Sequence, residues 1–187
     1  MGTNHPEVNI RLQRADSPGD KAAVYDLTVK AFGEEGEKVG HLVRALQACD
    51  AYDGLSFMAE SERRMVGHTM LTRSWLDAPE RLVDVLVLSP LSVHPDHRGA
   101  GIGRALVSRA LQAADDAGAP AVFVEGDPDY YGHLGFQRAS KRGFARPSVR
   151  IPEPAFQVVT LTAYEAWMSG ALVYSDRFWA HDCVGLR

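Results

Sequence analysis

The residues best suited to chemistry lie in one run, Leu91-Ser92-Val93-His94-Pro95-Asp96-His97-Arg98-Gly99-Ala100-Gly101-Ile102-Gly103-Arg104. An apolar strand leads into it and an amphipathic helical pattern leads out, with three glycines between. The first turn of a helix carries N–H groups without internal partners, and the helix dipole places about +0.5 charge there. Glycine lets such a backbone approach an anion with no Cβ in the way. The run is therefore built to hold a phosphate or pyrophosphate.

Two common phosphate-binding patterns fail on the residues. A P-loop requires a lysine followed by serine or threonine after its last glycine, and none occurs here. A dinucleotide fingerprint starting at Gly99-Ala100-Gly101 requires glycine at position 104, which is Arg104. His94-x-x-His97, with Asp96 between, lacks a third nearby ligand, so no metal is expected. No Gly-x-Ser-x-Gly elbow appears, which leaves serine hydrolase chemistry without support.

The elements around the run follow from periodicity. A short strand is expected at Asn9 to Leu12, then a helix over Asp20 to Ala31 and a second over Glu37 to Ala48. Leu55 to Glu60 and Met65 to Thr72 read as a hairpin about Ser61-Glu62-Arg63-Arg64, followed by a longer loop through Asp77-Ala78-Pro79. Leu82 to Val93 is nearly all apolar, as a strand covered on both faces should be. Pro90 interrupts it and marks a bulge or the parting of this strand from a neighbour. Ile102, Leu106, Ala110, Ala113 and Ala117 form one helical stripe, ended by Gly118. A buried strand follows at Ala121 to Val124, so strand, helix and strand predict a parallel pair. Further strands are expected near Phe136 and over Phe156–Leu161. The fold class is mixed α/β (α+β), a mostly antiparallel sheet flanked by helices with one parallel, splayed strand pair.

Composition narrows the partners. The 187 residues, 45% hydrophobic and 24% charged, suit a single globular domain. A formal charge of −4 gives no basic footprint for nucleic acid. The cluster Arg138, Lys141, Arg142, Arg146 and Arg150 reads as a solvated face or a phosphate-facing rim. Cys49 and Cys183 are far apart and form neither metal spacing nor a disulfide framework, so a reducing, cytoplasmic location is expected. Met1 to Pro6 has no charged-then-apolar pattern of a secretory signal, and no membrane partner is expected from any apolar run.

Arg98-x-x-Gly101-x-Gly103 matches the signature Arg/Gln-x-x-Gly-x-Gly/Ala, and here the chain resembles the GNAT superfamily of acyl-CoA-dependent N-acetyltransferases. The setting strengthens the match: Leu91-Ser92-Val93, Pro95, the signature and an amphipathic helix follow in the family's order. Gly126-Asp127-Pro128-Asp129-Tyr130-Tyr131 and Leu134-Gly135-Phe136 resemble a small bacterial subgroup with such a segment and an aromatic C-terminal tail. The likeness covers Val8 to Leu161, with a domain over residues 8–162. Residues 163–187 form an aromatic extension that carries Trp167, Tyr174, Phe178 and Trp179. These aromatics either finish the core of the same domain, the reading preferred, or line a partner interface.

The resemblance implies acetyl-CoA as co-substrate, held by Leu91, Ser92, Val93 and Arg98 through Arg104, and a small-molecule or peptide amine as acceptor. It implies Val93 N–H as the donor to the thioester carbonyl oxygen and Tyr131 as general acid, with Tyr130 as its understudy. The asparagine that contacts the pantetheine arm in many members has no counterpart at Gly126-Asp127-Pro128. A lysine-like amine of pKa about 10.4 must lose a proton, at about 4.6 kcal/mol at neutral pH. Glu34, Glu35, Glu37 and Glu60 are the candidates for that base. The expected function is acetyl transfer to a primary amine by direct attack on the thioester. The alternative is a non-catalytic acyl-CoA-binding sensor module. Oligomeric state, a homodimer included, is left open by the sequence.

Overall fold

The protein is described from a computed structural model covering residues 8–185, so the reading of Met1 to Pro6 lies outside the described residues. In chain order the elements are β1 (Asn9–Leu12), α1 (Pro18–Phe32), α2 (Gly36–Gln47), β2 (Ser56–Ser61), β3 (Arg64–Asp77), β4 (Leu82–Val93) and α3 (Ile102–Asp116). They continue with β5 (Ala121–Glu125), α4 (Pro128–Gly132), β6 (Gln137–Arg138), β7 (Phe144–Ala145), β8 (Phe156–Thr160), β9 (Gly170–Val173) and α5 (Asp176–Ala180). The sheet runs β1-β2-β3-β4-β5-β8-β6, with β9 on β3 and β7 on β9. Every long pairing is antiparallel except β4 with β5, and a second parallel contact of two residues joins β7 to β9.

Alternation along the central strands assigns the two faces. Val85 and Val87 of β4 and Phe123 of β5 join the core under α1 and α2, which contribute Val24, Leu42, Val43 and Leu46. Leu86 and Leu88 of β4 and Val122 and Val124 of β5 turn to the other face. There they meet the stripe Ile102, Leu106, Val107, Ala110 and Ala114 of α3. Period two in the strands and period 3.6 in the helices make both contacts continuous.

The strand expected to stop at Thr72 runs on to Asp77, and the expected longer loop shrinks to residues 78–81. The cause is tertiary: Trp75, Leu76 and Asp77 gain a second ladder from Val173, Leu172 and Ala171 of β9. The aromatic tail thus enters the sheet. Tyr174 and Phe178 are buried with ring centroids 4.8 Å apart, whereas Trp179 is 43% exposed beneath the Arg150 guanidinium.

β4 is bent where the proline falls. Its register against β3 slips between Leu71↔Leu88 and Thr69↔Leu91, so Ser89 and Pro90 together stand opposite the single residue Met70. Such a bulge bends a strand and ends regular pairing. On the opposite edge the last parallel partner pair is Val87↔Phe123. Beyond it β4 and β5 diverge, and both cavities of the site border the last residues of β4.

Candidate functional site

Past the bulge, His94 N–H donates to Val66 O at 2.9 Å, which makes Val93↔Gly67 a non-hydrogen-bonded pair. The N–H of Val93 therefore faces away from β3, toward the side where β5 no longer pairs. The chain then turns through a short 3-10 segment, Pro95–His97, and enters α3. Gly101 is the N-cap of α3, at φ 80°, and no side chain caps the amides that follow. α1 is the contrast, because Ser17 Oγ accepts from Asp20 N–H at its start. The α3 amides are left for an external acceptor. Gly99 and Gly101 have left-handed φ values of 78° and 80°, and a Cβ at either position would stand in open space.

These residues line a cleft of about 730 Å³. Leu91 and Val93 form its floor, Arg98, Gly99, Gly101, Ile102, Gly103 and Arg104 one wall, and Tyr130, His133 and Leu134 the other. Arg98 donates from Nη2 to Ala31 O at 2.7 Å, tying the turn to the end of α1. Arg98 and Arg104 outnumber Asp129, the carboxylate in the same lining, and guanidinium groups suit a diphosphate.

A second cavity of about 330 Å³ lies across the opened edge. Residues 87–91 of β4 form one side, and Glu125, Gly126 and Tyr131 form another. Phe32, Glu35, Val39 and Leu42 close it from the helices, and Tyr174, Phe178 and Cys183 close it from the tail. Phe32 and Leu91 line both cavities, so these two side chains mark where the cavities meet.

Asp127 caps α4 by accepting from Asp129 N–H, and the short helix presents its two tyrosines to different cavities. Tyr130 lines the larger cleft and Tyr131 the smaller one, with ring centroids 5.0 Å apart. Gly126 has a steric reason to be glycine, since a Cβ there would collide with the Tyr131 ring. Burial, with Tyr130 adding to it, pushes the Tyr131 phenol well above its ordinary range. The hydroxyl therefore stays protonated at neutral pH.

The expected cofactor residues fall largely together. Ser92 is the exception in side-chain direction: it is fully buried and faces Thr28 Oγ1 at 3.4 Å, under α1. Ala100 is not among the lining residues of either cavity. Among the proposed bases only Glu35 borders a cavity, and it faces Lys38 Nζ at 2.7 Å. Glu34 and Glu37 do not border either cavity. Glu60 is paired with Arg11 at 2.7 Å on the β1–β2 ladder, separated from β4 by β3. The basic cluster stays off the cleft: Arg138 pairs with Glu153, Arg150 with Asp182, and Arg146 donates to Ile151 O. Glu125 is the carboxylate that sequence reasoning passed over. Its signal was a lone acidic residue ending the apolar strand Ala121-Val122-Phe123-Val124, at the carboxyl end where α/β sheets bind ligands.

A largely antiparallel sheet that opens beside a phosphate-ready helix start is the scaffold of an acetyltransferase. The chain belongs to the acetyltransferase (GNAT) family, whose profile matches residues 21–137. The uncharacterized N-acetyltransferase YjhQ of Escherichia coli strain K12 is 29% identical over 163 residues, covering 84% of this chain and 88% of YjhQ. The uncharacterized N-acetyltransferase YhbS of the same strain is 29% identical over 173 residues, covering 89% of this chain and 98% of YhbS. Two solved structures share the fold. The E. coli YhbS complex with CoA superposes with a TM-score of 0.80 at 24% identity, covering 95% of each chain. A GNAT family acetyltransferase from Brucella melitensis in complex with acetyl-CoA gives 0.73 at 27% identity, covering 93% of this chain and 99% of that one. The family expected from the glycine run and the mixed sheet expected from the succession of strands and helices are thus confirmed, and the chain is an acyltransferase by family. Among the described residues no helix is long and apolar enough to cross a membrane.

Proposed function

We propose that this chain transfers an acetyl group from acetyl-CoA directly to a primary amine, with the two cavities as donor and acceptor sides of one reaction. The observation that carries the reading is their junction at Phe32 and Leu91, beside the strand edge that β5 leaves open. Both solved relatives were obtained with CoA or acetyl-CoA, which supports the same ligand here.

When bound, acetyl-CoA supplies the acetyl group as an activated thioester. The uncapped α3 amides, with Arg98 and Arg104, grip the diphosphate. Val93 N–H, directed away from β3, donates to the carbonyl oxygen as charge gathers there, an interaction commonly worth about 10²–10³ in rate. Tyr131, kept protonated by burial, donates a hydrogen bond to the departing sulfur. Its raised pKa makes complete proton transfer to a thiolate unfavourable, so Tyr131 acts mainly by stabilising charge, and solvent completes the protonation.

Thiol release from acetyl-CoA across a panel of amines tests the proposal. Tyr131→Phe should lower kcat about 100-fold while leaving CoA affinity within about two-fold. An unchanged kcat would remove Tyr131 from the mechanism. Tight CoA binding with no thiol release for any amine would favour a sensor module.

A further inference from the structure

Resting on the acetyl-transfer reading, we propose that Glu125 receives the ammonium of the acceptor, and that the acceptor is a small primary monoamine with a compact apolar body. Glu125 ends β5 past the last β4 partner, and it borders the smaller cavity together with Tyr131. Its Oε2 accepts from Gly185 N–H at 3.3 Å. Its Oε1 is buried and has no hydrogen-bond partner among the described residues. A buried carboxylate oxygen without a donor is costly, and a cationic N–H is the group that satisfies it.

The surrounding charges leave this role to Glu125. The nearby guanidinium of Arg150 donates to Asp182 at 2.7 Å, and Glu35, the other carboxylate of the cavity, has its charge offset by Lys38 Nζ at 2.7 Å from Oε2, although that contact lacks hydrogen-bond geometry. Tyr174 and Cys183, the other titratable groups of the cavity apart from Tyr131, are pushed upward by burial and stay neutral. The Glu125 carboxyl itself is raised by burial, against the opposing pull of Gly185 N–H and Arg150. A carboxylate shifted in this direction is a better proton acceptor for an amine.

The remaining walls set the acceptor class. Phe32, Val39, Leu42, Tyr174 and Phe178 enclose about 330 Å³, room for a short aliphatic chain or one ring. A second ammonium on the same molecule would meet only Glu35, already facing Lys38. An ammonium N–H bond breaks and its proton moves to Glu125, forming the carboxyl O–H. The freed nitrogen lone pair forms the C–N bond, and the C–S bond breaks with its electron pair leaving on sulfur. The second amine proton is lost to water as the amide forms, and the thiolate takes one from water.

The test pairs Glu125→Gln and Glu125→Asp with wild type, using isopentylamine, phenethylamine and spermidine. Binding of each amine to the CoA-loaded chain is read by calorimetry, alongside CoA affinity, thermal melting and the pH profile of kcat/KM. The proposal expects isopentylamine or phenethylamine to bind more tightly than spermidine. Glu125→Gln should weaken that binding at least 10-fold, lower kcat/KM about 100-fold and remove the acidic limb of the pH profile. CoA affinity should stay within two-fold, and Glu125→Asp should recover part of the loss. If Glu125→Gln does not fold, Glu125→Asp decides alone, with weakened amine binding and lowered kcat/KM expected. Preference for spermidine, or amine binding and a pH profile untouched in the folded variants, would overturn it. Absence of thiol release in wild type would instead sink acetyl transfer, and amine calorimetry would still judge the Glu125 contact.

Discussion

The two cavities that meet at Phe32 and Leu91 are made in opposite ways. The larger is a backbone device: uncapped amides, two left-handed glycines and a pair of arginines, supplied mainly by the stretch from Leu91 to Arg104. The smaller is a side-chain device, apolar with two carboxylates, assembled from α1 and α2, β4, the end of β5, α4 and the tail. A backbone device grips a charged group that is common to many reactions, whereas a side-chain device can be changed one residue at a time. Under the proposed acetyl transfer, the chain would separate the part that holds a general donor from the part that selects an acceptor, and the bulged end of β4 borders both.

Breaking one side without the other is the sharpest check on that division. Gly101→Val forces a β-branched residue into φ 80° and fills the open space proposed for the diphosphate. It should weaken CoA binding by about 100-fold, or about 2.7 kcal/mol, in calorimetry. Amine binding to the unloaded chain should change little, and an equal loss on both sides would contradict the separation.

A second perturbation acts on the frame both cavities share. His68 lies in β3 opposite Ser92 of β4, fully buried, with Nε2 at 2.8 Å from Ser56 Oγ. Ser56 Oγ donates to Gln13 Oε1, so His68 Nε2 carries the proton and Nδ1 is left without a partner. Burial lowers its pKa from 6.5 to about 3. Below about pH 6.5 the unfolded chain binds the proton and the folded chain does not, so stability is complete above that value and is lost as pH falls toward 3. Urea unfolding should show about 2 kcal/mol less stability at pH 5 than at pH 7, with both cavities lost in one transition. His68→Gln should flatten that dependence. A flat wild-type profile would show that His68 is protonated as easily folded as unfolded.

The smallest effect is expected at the cross-link. Arg98→Ala removes the bond to Ala31 O together with the cation proposed to meet the diphosphate, and should raise the KM for acetyl-CoA about 10-fold at low salt. The factor should shrink as salt rises. A salt-independent effect would assign Arg98 to structure alone.

The same division explains what the sequence made legible. The glycine run and the Ile102–Ala114 stripe are contiguous, and each follows from a local rule about amides, φ or helical period. Pro90 announced the bulge because proline cannot complete a ladder. The extension of β3 to Asp77 was hidden because its partner, β9, lies almost one hundred residues downstream. The smaller cavity was hidden for the same reason: Phe32, Glu125, Phe178 and Cys183 share it through long-range packing, with no common periodicity. Glu60, one of four candidate bases, lies instead on the β1–β2 ladder paired with Arg11, because a strand end says nothing about which edge of the sheet the strand occupies.

A crystal structure with bound CoA tests the central claim most directly. The account predicts the diphosphate against the N–H groups of residues 99–104 and the sulfur at the junction beside Leu91 and Tyr131, pointing into the cavity that holds Glu125. A diphosphate bound elsewhere, or a sulfur directed away from that cavity, would contradict it.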